Sequence, residues 1–159
     1  MNATKNDIPL ATRLAVAQIL NETLADLIDL QLQAKQAHWN VRGPNFLSLH
    51  ELFDRVAEKV EESVDMVAER IGALGQHAEG TILMVIQRTR LATYPLEIVS
   101  ERDHIESLAT SLATVAAATR AAINRTALLA DADSTDLVTE VSREIDQQLW
   151  FVESHLGNG

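Results

Sequence analysis

His50 and Asp54 stand four residues apart, and so do Asp65 and Glu69. On a helix that spacing puts the members of each pair on one face. Asp54 and Asp65 are separated by close to three full turns. All four residues therefore fall in one band about 100° wide at about 100° per residue. A histidine and three carboxylates make a nitrogen–oxygen donor set. The chain has no cysteine, so disulfides and thiolate metal sites are excluded. The mixed set suits iron, manganese or zinc and is too rich in nitrogen for magnesium or calcium. Either pair alone is more often a solvated face; their joint register, in a band poor in Lys and Arg, singles them out.

The two pairs cannot share a metal within one chain. Roughly 16 Å of helix separates Asp54 from Asp65, whereas ligand bonds to such metals are only ~2 Å long. A second copy removes the difficulty. Two such helices laid antiparallel across a two-fold axis near Lys59 and Val60 bring His50 and Asp54 of one copy to Asp65 and Glu69 of the other. The contact is isologous, so it creates two equivalent sites per dimer. His38, near the end of the preceding helix, could fold back over the same place. Two imidazoles and three carboxylates leave coordination positions open, as a reactive centre needs.

Four long helical patterns must position these residues. The first runs from about Ala11 to about His38, with Leu20, Leu24 and Leu27 on one face and Ile19, Ile28, Leu30 and Leu32 widening it. Such a width predicts burial on more than one side. Gly43-Pro44-Asn45 breaks the chain. The second runs from about Phe46 to about Leu74, where Leu49, Phe53, Val56, Val60, Val64, Val67, Ile71 and Leu74 recur at steps of three and four. A long connection follows, with a short helix expected over Ile82 to Arg88. The third pattern starts at Ser100, which with Asp103 resembles a capping box carrying Asp in place of Glu, and fades near Leu129. The fourth starts near Asp133 or Ser134, carries Leu137, Val141, Ile145, Leu149, Val152 and Leu156, and stops at Gly157. Trp150, beside that stripe, is expected in core or interface packing.

The expectation is an all-α, ferritin-like four-helix bundle over residues 11–157. It follows a short tail, 1–10, and has one extra short helix in the long crossover between helices 2 and 3 and no fifth helix. Glu101 and His104 form a Glu-x-x-His, but bundle-core sites need two such motifs on different helices, so this one is set aside.

Bulk properties agree. Hydrophobic residues make up 47% of 159, enough for one sizeable core, while 6 Gly and 3 Pro leave few turns. No apolar run approaches the ~20 residues of a membrane span, and no signal-peptide core is present; the expected location is the cytoplasm. A net charge of −10 argues against attraction of nucleic acid by the global field.

The segment Ala34-Lys35-Gln36-Ala37-His38-Trp39-Asn40-Val41-Arg42-Gly43-Pro44-Asn45-Phe46 resembles the signature of the Dps family, the mini-ferritins also known as DNA-binding proteins from starved cells. The resemblance continues through His50-Glu51, Asp54 and Asp65 to Arg70. It resumes at Tyr94-Pro95-Leu96, Ser142 to Asp146 and Leu149-Trp150-Phe151. It implies that His38, His50, Asp54, Asp65 and Glu69 are the ligands of a two-iron ferroxidase site shared between two-fold-related subunits. It implies a hollow dodecamer in which Fe(II) is oxidised, preferably by hydrogen peroxide, and stored as ferric mineral. Zinc or manganese could occupy the same ligands. It also gives Asp131, Asp133 and Asp136 a place lining three-fold pores for iron entry; the alternative is helix N-terminal stabilisation. Trp39 is either an electron donor that absorbs stray oxidising equivalents or a packed aromatic at a helix end, and both readings stay open. Family members that grip DNA carry lysine-rich tails. Here the first twelve residues hold one lysine, Lys5, and one acid, Asp7. DNA binding and nucleoid association are therefore only weakly expected.

Overall fold

The computed structural model describes residues 2–157; Met1 of the expected tail and the stub Asn158-Gly159 lie outside the described residues. The chain folds as α1 (Leu10–Asn40), α2 (Phe46–Ala73), α3 (Ile82–Arg88), α4 (Glu101–Leu128) and α5 (Ala132–Glu153). The short turns between α1 and α2 and between α4 and α5 make each pair antiparallel. α1 also packs on α4, and α2 on α5, which closes the four long helices into one bundle. The crossover from α2 to α4 spans the bundle and lets those two helices run parallel.

The expectation of no fifth helix is corrected: five helices are present among the described residues. The crossover adds a helix of its own because its backbone closes helical hydrogen bonds. Val85 N–H reaches the Thr81 carbonyl at 2.9 Å, and Thr89 N–H reaches the Val85 carbonyl at 2.8 Å. Val85 is buried while Ile82, Leu83 and Ile86 stay exposed, so α3 lies on α1 with only one side covered. The width predicted for the apolar face of α1 is met in part. Leu30 is fully buried, but Leu32 is 56% exposed beside α3.

Polar residues of α1 tie the crossover down. Asn21 donates to the His77 carbonyl and accepts from Glu79 N–H. Asp26, almost fully buried, accepts from the backbone and the guanidinium of Arg90. Burial pushes its carboxyl pKa up despite Arg90. Asp29 accepts from Thr89, and Gln33 donates to the Ala92 carbonyl. A buried backbone needs such partners, and α1 supplies them at steps of five, three and four residues.

The core is built from the stripes. Phe53, Leu20, Leu24, Leu27, Leu49, Ile71, Leu108, Leu112 and Ile145 are fully buried. On α5 the buried face runs Val138, Val141, Ile145, Gln148, Val152, rotated slightly from the expected stripe, so Leu137 and Leu149 sit at its edge. α4 starts as expected, with Asp103 N–H donating to Ser100 Oγ at 3.1 Å. α5 begins earlier than expected because Asp131 is its N-cap and accepts from Ser134 N–H. Among the described residues no helix is long and apolar enough to cross a membrane.

Candidate metal centre

α1 ends at Asn40, and Val41 to Asn45 turn the chain into α2. Gly43 makes the turn possible. Its φ is +154°, and a Cβ there would lie 2.5 Å from the Glu101 carboxyl carbon. That carboxylate accepts from both the backbone and side-chain nitrogens of Asn45. It thereby fixes the entry of α2 at a helix start where the N-cap side chain, Asn45, makes no capping bond to the helix backbone.

The turn stacks His38 on His50. Their ring centroids are 3.6 Å apart and the planes differ by 21°. Each ring bonds to the other residue's backbone. His38 Nδ1 lies 2.7 Å from the His50 carbonyl, and His50 Nδ1 lies 2.8 Å from the His38 carbonyl. A carbonyl only accepts, so both Nδ1 atoms carry the proton and donate. In the neutral rings this leaves both Nε2 atoms with a lone pair, the form a metal ligand requires. Phe46 closes one side, its ring centroid 5.1 Å from that of His50.

Asp54 stands beside this pair, with Oδ1 4.0 Å from His38 Nδ1. Sequence reasoning missed its nearest neighbour. Lys35 Nζ lies 2.5 Å from Asp54 Oδ1. The hydrogen bond from this ammonium, helped by the charge of the nearby imidazoles when protonated, holds the Asp54 carboxyl below its ordinary pKa. Lys35 is three residues before His38 on α1, so its helical register was the available signal.

Asp65 and Glu69 are exposed further along α2, and neither carboxylate takes part in a hydrogen bond or ion pair among the described residues. No group of three or more His, Asp or Glu side chains comes together as a metal site within one chain, again among the described residues. His38 and His50 are thus stacked with Asp54 beside His38, short of a three-ligand site, and Asp65 and Glu69 are not brought to them.

The other expected residues separate as well. Asp131 is 3% exposed. It accepts from Arg70 Nη2 at 2.8 Å and from Ser134 Oγ at 2.6 Å. Asp133 is largely exposed, 3.8 Å from Arg70 Nη1, and Asp136 is exposed. Trp39 is 56% exposed, beside the histidine pair in sequence but not packed in the core. Trp150 is 60% exposed, with its ring tilted on Phe151, so core packing does not account for it.

The set-aside Glu-x-x-His divides between two tasks. Glu101 caps α2, as above, whereas His104 is buried and its Nδ1 lies 2.7 Å from the Tyr94 hydroxyl. Burial lowers the His104 pKa from its ordinary 6.5. Below pH 6.5 the unfolded chain takes up this proton before the folded one. The His104 contribution to stability is therefore complete above that pH and is lost as pH falls toward the lower folded value. His104→Gln should accordingly lose thermal stability near pH 8, and its deficit against the native chain should narrow on acidification. Paired melting curves across that range check this; a deficit independent of pH would contradict it.

A ferritin-like domain model matches residues 17–159. The chain is 40% identical to the DNA protection during starvation protein of Agrobacterium fabrum, over 96% of this chain and 94% of that one. Among solved structures, the tetragonal form of Mycobacterium smegmatis Dps superposes with a TM-score of 0.93 at 33% identity, covering 100% of this chain and 96% of that one. Dps from Microbacterium arborescens in its high iron form gives 0.88 at 31% identity, covering 98% and 99%. With a fold of five helices that matches along its length and relatives this similar over nearly all of it, the chain belongs to the Dps family of ferritin-like proteins.

Proposed function

We propose that this protein is a ferroxidase and iron-storage cage that oxidises Fe(II), with hydrogen peroxide as the preferred oxidant, and holds the ferric product inside a dodecamer. The observation that carries the reading is the reciprocal bonding of His38 and His50, which commits both Nδ1 atoms and leaves both Nε2 lone pairs free, in a pair that has Asp54 beside His38. That neither Asp65 nor Glu69 is hydrogen-bonded or ion-paired among the described residues supports their use by a second copy. The high-iron form in which a similar Dps has been seen supports iron as the substrate.

The proposed division of labour follows from position. His38, His50 and Asp54 of one subunit bind Fe(II), and Asp65 and Glu69 of its two-fold mate complete the set. Two Fe(II) ions supply the two electrons that break the O–O bond of peroxide. Lys35 neutralises Asp54 in the metal-free site, so an arriving cation exchanges for an ammonium instead of meeting a bare carboxylate. Asp133 and Asp136, exposed at the start of α5, are the residues proposed to line an iron entry path. Asp131 is not among them, because its carboxylate is spent on Arg70 and Ser134. Zinc and manganese are expected to compete for the same ligands.

Relatives are named for protection of DNA. Here we propose that protection comes from consuming Fe(II) and peroxide, the two reagents of hydroxyl-radical chemistry, since the net charge of −10 works against a direct grip on phosphates. Anaerobic Fe(II) titration followed by peroxide tests the reading. Saturable uptake of about two Fe(II) per subunit or fewer is expected, one site serving each chain, with rapid oxidation on adding peroxide. Absence of saturable uptake by the assembled protein would overturn it.

A further inference from the structure

The chain has a single tyrosine, and it is buried. Tyr94 lies in the crossover before α4, 8% exposed, with its hydroxyl 2.7 Å from Nδ1 of His104, itself 1% exposed. The proton between them has two possible homes. If Nδ1 carried it, the Nε2 lone pair would face the carbonyls of Ile98 and Asn40, both of which favour a protonated nitrogen. The other arrangement leaves no lone pair facing an acceptor. The phenol donates to Nδ1, and Nε2–H turns toward those carbonyls, although it completes no hydrogen bond with them. Tyr94 is then a donor and His104 a neutral acceptor.

Burial pushes the Tyr94 pKa far above the ordinary phenol value. Simple ionisation would leave a buried phenolate and is disfavoured. Loss of an electron together with the proton leaves no phenolate. The proton has a base waiting at hydrogen-bond distance; burial disfavours the imidazolium it forms, and the field of Asp103 and the Ile98 and Asn40 carbonyls offset part of that, against Arg42. Asn40 closes α1 two residues after His38, so the pair adjoins the candidate metal centre through the end of that helix.

We propose that Tyr94 and His104 act as a proton-coupled electron donor that fills the one-electron hole left when peroxide meets a centre holding a single Fe(II). This rests on the ferroxidase reading. One Fe(II) gives one electron, and the O–O bond breaks to hydroxide and a hydroxyl-radical equivalent. Tyr94 supplies the second electron, converting that equivalent to hydroxide, while the phenolic proton passes to His104 Nδ1. A phenoxyl radical and an imidazolium remain. A later Fe(II) returns the electron and becomes Fe(III), and the proton returns to the phenol. The sum is two Fe(II) oxidised per peroxide with no radical released. Exposed Trp39 offers its proton only to solvent; the Tyr94 pair is enclosed and has its own base.

Freeze-quench electron paramagnetic resonance tests this on the assembled protein given less than one Fe(II) per centre and then peroxide. The expected signal narrows when tyrosine is ring-deuterated, disappears in Tyr94→Phe and loses yield in His104→Gln. A radical unaffected by tyrosine deuteration, with iron oxidised, overturns the proposal. Flash oxidation of the metal-free protein by tris(bipyridine)ruthenium(III) separates the two readings. A tyrosyl radical that forms more slowly in D2O supports the pair even if iron oxidation fails, and its absence refutes the pair even if iron is oxidised. Neither label nor solvent alters the fold, so the test survives a variant that does not assemble.

Discussion

Replacing Asp65 and Glu69 together by alanine is expected to abolish tight Fe(II) binding and peroxide-driven oxidation while leaving the fold intact. Both side chains are exposed and neither is hydrogen-bonded or ion-paired among the described residues, so the fold should change by no more than about 0.5 kcal/mol. The chemical loss should exceed the roughly 10- to 100-fold that removal of an outer-shell partner costs a metal site, because these are proposed as ligands themselves. Titration calorimetry with Fe(II) under anaerobic conditions, beside melting curves of the same samples, separates the two effects. Unchanged affinity would remove Asp65 and Glu69 from the centre.

The second large effect concerns Arg70, the residue after Glu69. Its guanidinium donates to Asp131 and to Ser134 Oγ, joining α2 to the N-terminus of α5. The Asp131 side chain is only 2% exposed. Arg70→Ala leaves that carboxylate buried with only Ser134 to bond it. Breaking a buried pair in this way costs about 3–5 kcal/mol, which lowers the melting point by roughly 6–20 °C for a chain of this size. Arg70→Met combined with Asp131→Asn should be much milder, since no charge is stranded and Asn still caps a helix. If the double variant melts as low as the single one, the damage comes from lost packing and not from the stranded charge.

Asp131 shows what sequence alone could and could not deliver. Three acids around a helix start suggest either a pore or stabilisation of that start, and pattern cannot choose between them. The choice depends on Arg70, more than sixty residues away, reaching the one acid that also caps α5. The same limit applies at the metal centre. Helical register placed His50 with Asp54, and Asp65 with Glu69, because both relations are local. It left His38 only as a residue that could fold back, since stacking on His50 depends on the turn at Gly43 and on Glu101 arriving from α4. Lys35 carries an ammonium, which is no metal ligand, so donor type does not single it out, yet its register with His38 is readable. The long stripes of α2 and α4 were legible because periodicity persists over many turns. The short helix over Ile82–Arg88 was expected and is present as α3; the expectation of no fifth helix fails because that helix, counted with the four long ones, is the fifth.

The central claim is that one centre is built from two chains. It is tested most directly by mixing two variants, His50→Ala with Asp54→Ala in one chain and Asp65→Ala with Glu69→Ala in the other. Each alone is expected to be inactive. Co-refolded in equal amounts, they form mixed dimers in which one centre keeps all five ligands and the other keeps only His38. Random pairing then restores about one centre in four, and Fe(II) uptake and peroxide-driven oxidation should recover to about a quarter of the native level. No recovery from a fully assembled mixture would contradict the shared centre.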